Sequence, residues 1–377
     1  MEDNHNNLSQ LDGFGKQTEY SGQNATTKEV QTEVTKCDSC GANMVFDPIT
    51  QKLFCPFCES QKTIVSGEAK ELDIRQALFS GDAKISQNVH TFRCENCGAC
   101  VTMELHAVAL KCPFCGTSHI VEEQSQSGLI PNAVVPFSLD GKGAAEACKK
   151  WGRKRLFAPR KFKKTLTAEN VRGVYTPCYT FDSATFSTYS GRLGKRRTRT
   201  VGSGKNRRTE TYTEWFYVNG DIVLNFDDLT ICAGSKFTEK QFRKLQPFPS
   251  FSASEYAPEY LSGFMAYGSD KDLQTGWDEA RSNMDAQIRR AILHRYNADY
   301  VGTLNVSTQH ANVTYKYVLV PVYIANYTFR QKLYNVFING SSGKVYGKSP
   351  KSPLRIGLFA LLIAAVCVGI YFLAGGL

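Results

Sequence analysis

Four Cys-x-x-Cys pairs constrain this chain more than any other feature of its sequence. Cys37-Asp38-Ser39-Cys40 and Cys55-Pro56-Phe57-Cys58 form one set, and Cys94-Glu95-Asn96-Cys97 and Cys112-Pro113-Phe114-Cys115 form a second. The differences 94−37, 97−40, 112−55 and 115−58 all equal 57. Cys-Gly-Ala recurs at Cys40-Gly41-Ala42 and Cys97-Gly98-Ala99. Equal spacings and a shared flank read as an internal repeat of one module.

Each pair places two sulfurs on one tight turn, and two facing pairs make a tetrahedral cage for Zn²⁺ with Zn–S near ~2.3 Å. Cys37 to Cys58 spans 22 residues (58−37+1), too few for an apolar core. Metal binding is therefore expected to supply the folding free energy, on the order of 10 kcal/mol. The expected ligands are Cys37, Cys40, Cys55 and Cys58 for one zinc, and Cys94, Cys97, Cys112 and Cys115 for the other. With all four positions filled by cysteine, such a site is structural and not catalytic. A redox-active pair or an iron–sulfur cluster uses related motifs, but two opposed pairs favour zinc. Gly41, Gly98 and Gly116 follow knuckle cysteines, where they let backbone N–H groups turn towards sulfur. Cys100, His106 and His119 lie near the second set and outside the ligand pattern. Cys148, Cys178, Cys232 and Cys367 read as isolated thiols.

Ile356 to Leu377 gives 22 residues (377−356+1) without a charge. As a helix this run reaches roughly 33 Å, against a bilayer core of about 30 Å, so it reads as a transmembrane span. Lys344, Lys348, Lys351 and Arg355 precede it, and no Asp or Glu follows Asp299. The positive-inside rule then puts residues 1–355 in the cytoplasm, as a single-pass, tail-anchored protein of the cell membrane. In that compartment paired cysteines read as metal sites and not as disulfides.

The expected organisation is a polar leader (1–35), ribbon one (36–66), a spacer (67–89), ribbon two (90–123), an α+β domain (129–347), a basic juxtamembrane linker (348–355) and the span (356–377). The fold class is thus two small four-cysteine zinc ribbons plus an α+β domain and one C-terminal transmembrane helix. The spacer carries a short helix ending near Gly81. Within the larger domain, helices are expected from Asp140 to about Phe157, over Thr238–Leu245 and over Asp272–Tyr296. Strands are expected around Val174–Tyr189, Glu210–Leu224, Tyr300–Thr308, Thr314–Phe329 and Leu333–Ile338. A turn at Asn339–Gly343 leads to a closing strand at Lys344-Val345-Tyr346.

Charge separates the function classes. The formal net charge is +10, yet the ribbons do not carry it. Residues 36–66 balance three Lys against three acids, and residues 90–123 set two basic residues against four acids. Each Zn(Cys⁻)₄ unit adds −2, so the total falls to +6 and a nucleic-acid role for the ribbons is disfavoured. The positive charge concentrates in Arg192–Thr209, with Arg192, Lys195, Arg196, Arg197, Arg199, Lys205, Arg207 and Arg208 and no acid. With Gly191, Gly194, Gly202 and Gly204 it reads as a long flexible hairpin loop, either plain solvated surface or a docking element for anionic lipid or an acidic partner. A phosphate-binding loop is absent: Arg199 stands where the first Gly is needed and Asn206 where the hydroxyl is needed around Gly204-Lys205. No residue is assigned a catalytic or cofactor-binding role.

The ribbons are followed by Val135-Pro136-Phe137, Gly173-Val174-Tyr175-Thr176-Pro177 and Tyr256-Ala257-Pro258-Glu259-Tyr260-Leu261-Ser262-Gly263-Phe264. Leu319-Val320-Pro321-Val322-Tyr323 and Asn339-Gly340-Ser341-Ser342-Gly343-Lys344-Val345-Tyr346-Gly347 complete the pattern. Together these blocks resemble the bacterial twin zinc-ribbon membrane proteins of the YdjG type, over about residues 36–350. Some members carry a TFIIB-type zinc-ribbon or primosomal-helicase-like label, for which this chain has no motor motif. The resemblance implies partners in envelope-stress systems, PspA-like or SPFH-like. The expected function is a non-enzymatic membrane-anchored adaptor that recruits cytoplasmic protein partners. The alternative is a membrane-tethered nucleic-acid-binding protein, and a third reading is an enzyme of unrecognised type.

Overall fold

The computed structural model describes residues 35–80, 85–86, 91–97, 99–102, 112–115, 117, 120–123, 128–129, 131–164, 171–329 and 332–373. The expected leader, apart from residue 35, and Gly98, Gly116, His106 and His119 lie outside the described residues.

The first cysteine set sits on a small antiparallel sheet of β1 (Val45–Asp47), β2 (Lys52–Phe54) and β3 (Gln61–Thr63). The stretch read as a spacer brings β4 (Leu72–Asp73), which joins the main sheet, and α1 (Ile74–Ser80). Then follow β5 (Ile85–Ser86), β6 (Thr91–Cys94), β7 (Cys100–Thr102), β8 (Ile120–Glu123), β9 (Gly128–Leu129) and β10 (Ala133–Val134). Helix α2 (Gly141–Arg153) starts at Asp140, whose carboxylate accepts the Gly143 N–H at 2.7 Å, and α3 (Arg160–Lys164) follows.

Two long strands dominate what comes next. β11 (Val171–Val201) has 31 residues, roughly 100 Å if fully extended at ~3.3 Å per residue. It lies between β12 (Arg208–Cys232) and β15 (Tyr300–Phe329), antiparallel to both. Between them run α4 (Glu239–Leu245), β13 (Ser254–Glu255), β14 (Met265–Tyr267) and α5 (Leu273–Arg295). Thr238 and Asp272 cap α4 and α5 as their sequence positions imply. β16 (Lys332–Asn339), β17 (Val345–Gly347) and α6 (Pro353–Leu373) complete the order.

Two sequence expectations change. The strands expected at 300–308 and 314–329 are one continuous strand, which passes Asn312 in a left-handed conformation. The basic segment Arg192–Thr209 is not a flexible loop. Its ladder runs without a gap from Leu193↔Phe216 to Val201↔Arg208, leaving only residues 202–207 as the turn. Two of the glycines that suggested looseness, Gly191 and Gly194, serve close packing instead. A Cβ on Gly191 would run into the Thr303 carbonyl, and one on Gly194 would sit 3.0 Å from the Trp215 ring.

The sheet has two regimes. Around Val174–Phe181 both faces are buried. Phe137, fully buried, stacks on Phe264 at 4.3 Å and packs against Tyr323 and Tyr175. Beyond Thr185 only one face is covered. Ala280, Met284, Ile288 and Ile292 of α5 form one buried stripe, and the last two meet Tyr189, Leu193, Val218 and Ile222. The other face stays open along this arm.

Helix α6 is long and apolar enough to cross a membrane, and its residues Pro353–Tyr371 are not buried inside the protein. Its base is fixed to the connection between α2 and α3. Ser352 N–H donates to the Phe157 carbonyl at 2.8 Å, Arg355 donates to the Leu156 and Ala158 carbonyls, and Phe157 meets Phe359.

Candidate metal centres and the surfaces around them

The eight cysteines singled out by spacing form two groups. In each, four sulfurs lie within 4.8 Å of one another, a donor set that could hold a metal ion. In the first group Cys37 and Cys58 are 3.4 Å apart and Cys40 and Cys55 are 3.5 Å apart; in the second the matching separations are 3.5 and 3.6 Å. A disulfide needs about 2.05 Å. A tetrahedron with metal–sulfur bonds of ~2.3 Å has edges of about 3.8 Å, close to these separations.

Local backbone geometry builds the knuckles. Gly41 has φ +73°, a left-handed conformation with open space around it, and its N–H closes the turn onto the Cys37 carbonyl at 2.8 Å. Backbone N–H groups of Ser39 and Cys40 pull the Cys37 thiol below its ordinary value. The Ser60 hydroxyl, its N–H and the neighbouring thiols bring Cys58 down to about 6. At Cys40 the Ala42 N–H favours the thiolate, but the sulfurs of Cys58 and Cys55 outweigh it and push the thiol up to about 12. Burial drives Cys112 up and takes Cys97 to about 11. Four crowded sulfurs thus accommodate some negative charge unaided. A dication is what allows all four to be thiolates together, so the donor set fits a divalent metal.

Both groups are docked into the main domain. Cys37, Met44, Phe46, Leu53 and Cys55 belong to the core around Phe137, and Phe46 packs on Tyr260 at 5.4 Å. Cys94, Ala99, Cys112 and Phe114 belong to the core on the opposite face. There the Phe114 ring meets Tyr267 at 5.2 Å and Phe237 at 6.2 Å. Asn326 and Asn335 donate to the Pro113 and Phe114 carbonyls. Phe57, the residue 57 places earlier, is 78% exposed, whereas Phe114 is 5% exposed. One knuckle is used internally and the other faces solvent.

A cluster of titratable groups was not legible in the sequence, because its members are far apart in the chain. Lys316, 5% exposed, lies 3.0 Å from Asp228 and 3.3 Å from Glu71. Thr314 donates to Glu71 at 2.7 Å, and Asp182 accepts the Asp228 N–H at 2.6 Å. Burial, then the adjoining Glu71 carboxyl, pushes Asp182 up to about 6. Because its folded value lies above the ordinary value of 3.8, folded protein holds the extra proton between these pH values. The Asp182 contribution to stability is therefore full below about pH 4 and is lost as pH rises through about 6. Asp182→Asn should gain about 1 kcal/mol on the parent between pH 4 and pH 7, after discounting for partial exposure. Urea unfolding at both pH values measures this, and a constant difference between the two proteins would refute it.

The arm carries a second feature of interest. Tyr217, Trp215, Phe186 and Val223 are exposed, and the Arg192 guanidinium sits 5.2 Å from the Trp215 ring and 5.9 Å from that of Tyr217. Between residues 192 and 217 there are eight basic residues and two acids, a net +6. The acids face three of the arginines: Glu214 pairs Arg197 at 2.7 Å, and Glu210 pairs Arg199 and Arg208.

Among known proteins, the chain is similar to the uncharacterized protein YdjG of Bacillus subtilis (strain 168). It is 29% identical to it over 320 residues, which cover 84% of this chain and 90% of that protein. No family model matches. No solved structure matches.

Proposed function

We propose that this protein is a membrane-anchored, zinc-stabilised adaptor whose arm captures an acidic cytoplasmic protein. Zinc in both four-cysteine groups acts as a structural clamp, with no coordination position left for a substrate. Helix α6 spans the bilayer, with Lys348, Lys351 and Arg355 at the anionic headgroups, each gaining about 1 kcal/mol there. The observation that carries the reading is the arm's open face, with Trp215, Tyr217 and Arg192 in one aromatic–cation array beside a net positive tip. Aromatic and arginine side chains are the usual anchors of protein interfaces, and the charge selects an acidic partner. A PspA-like or SPFH-like membrane-stress protein is the partner class the sequence resemblance suggests.

A photo-crosslinking side chain at Tyr217, 84% exposed, tests this in cells that make the full chain. Cross-links should run to an acidic protein in the membrane fraction. They should weaken at least tenfold in Arg192→Ser/Arg196→Ser, while thermal stability stays within about 0.5 kcal/mol, as for surface changes. Cross-links to nucleic acid would favour the membrane-tethered nucleic-acid binder instead, because arginines interleaved with aromatics also suit base stacking. Cross-links to lipid alone would make the arm a membrane contact and sink the adaptor reading.

A further inference from the structure

Two cysteines that look unrelated in sequence, at positions 178 and 232, are directly opposite each other on β11 and β12. Both are free thiols and both are buried. The ladder fixes what kind of pair they are. The next pair along is Pro177 and Ala233, whose N–H donates to the Pro177 carbonyl at 3.0 Å. That is a hydrogen-bonded position, so Cys178 and Cys232 occupy the adjoining non-hydrogen-bonded one. At such positions opposed Cα atoms approach to ~4.5 Å and side chains lie closest. Disulfides span Cα separations of about 4.4–6.8 Å. Cross-linking this pair requires no change of register.

Independently of the adaptor reading, we propose that Cys178 and Cys232 are a redox site, which a peroxide converts to a disulfide that clamps the centre of the sheet. Cys232 is the more accessible partner at 8% exposure, against 0% for Cys178. The opposed Cys178 thiol favours its thiolate most, against burial, and the Gly234 N–H adds to this. The Cys232 thiolate attacks one peroxide oxygen; the O–O bond breaks, hydroxide leaves and takes up a proton as water, and Cys232 becomes a sulfenic acid. The Cys178 sulfur then attacks the Cys232 sulfur, the S–O bond breaks, and a second water leaves with the Cys178 proton. Two thiols are oxidised, one peroxide is reduced to two waters, and one S–S bond forms. Burial excludes bulky thiols and leaves a small oxidant as the reagent that fits. Because the two cysteines are opposed in one ladder, the second step is intramolecular, so the sulfenic acid is captured before it can be oxidised further.

The experiment uses the full chain in detergent with its metal bound. Hydrogen peroxide is added in steps, free thiols are blocked with N-ethylmaleimide, and non-reducing peptide maps are read beside released zinc. The expected result is a peptide joining residues 178 and 232, two mass units lighter than its reduced parts and split by dithiothreitol, formed while most zinc is still bound. The oxidised protein should melt several degrees higher, since the link closes a long loop. Cys178→Ala should abolish the cross-linked peptide and leave Cys232 open to sulfenic-acid reagents. Cys232→Ala, at the less buried position, serves if that variant does not fold. Loss of zinc with disulfides only among the eight ribbon cysteines, and with Cys178 and Cys232 still alkylated as thiols after unfolding, would overturn the proposal.

Discussion

Replacing Cys94 and Cys112 together by serine is expected to remove one zinc per chain and to cost about 5 kcal/mol or more of domain stability. Both side chains are almost completely buried in the core shared with Val318, Val320 and Phe337. The loss is therefore not confined to a peripheral module. Without metal the knuckles open, and Phe114 leaves Tyr267 and Phe237 while Asn326 and Asn335 lose their carbonyl acceptors. An extracted aromatic ring costs about 3–5 kcal/mol, and each half-buried amide that loses its partner costs about 1 kcal/mol. Zinc analysis with thermal and urea melts of the purified chain measures both effects. A variant that loses zinc and keeps the parent's melting temperature would mean that the second group does not hold the sheet together.

The second large effect separates two residues of one type in matching knuckles. Phe114→Ala should cost about 3 kcal/mol, because the ring fills a closed aromatic site and the cavity left behind cannot collapse fully. Phe57→Ala should change stability by less than about 0.5 kcal/mol, because its ring is exposed. The comparison is controlled from within, since both residues sit between a proline and a cysteine of a Cys-Pro-Phe-Cys turn. Equal losses at the two positions would show that the first knuckle is covered in the native protein, by a partner or by another part of the chain.

Short-range chemistry was legible in the sequence. Cys-x-x-Cys spacing identified both donor sets, and Asp140, Thr238 and Asp272 marked the helix starts at which they cap. The apolar run after residue 355 falls within α6, as far as residue 373. Long-range pairing was not legible. Arg192–Thr209 looked like a loop because its charges and glycines are typical of one. A ladder, however, satisfies backbone groups whatever the side chains are, and Glu210 and Glu214 supply the opposing charge from the other strand. Cys178 and Cys232 looked isolated for the same reason: 54 residues separate them (232−178), and only the register of β11 on β12 brings them together. Nor could spacing show that the two cysteine groups are built into the cores on opposite faces of one sheet.

This docking bears on what the metal is for. A cysteine group whose flanking aromatics are buried in a neighbouring core behaves as a rivet between segments, and a rivet needs a closed coordination shell. X-ray absorption spectroscopy on the full chain, purified from membranes in detergent, addresses that claim most directly. The expected result is two zinc ions per chain, each with four sulfur neighbours at ~2.3 Å and no nitrogen or oxygen in the first shell. Cys37→Ser/Cys40→Ser should leave one zinc with an unchanged sulfur-only spectrum. A single zinc in the parent protein, or a shell containing a light-atom ligand, would contradict the account, because an open position is the mark of a centre that does chemistry.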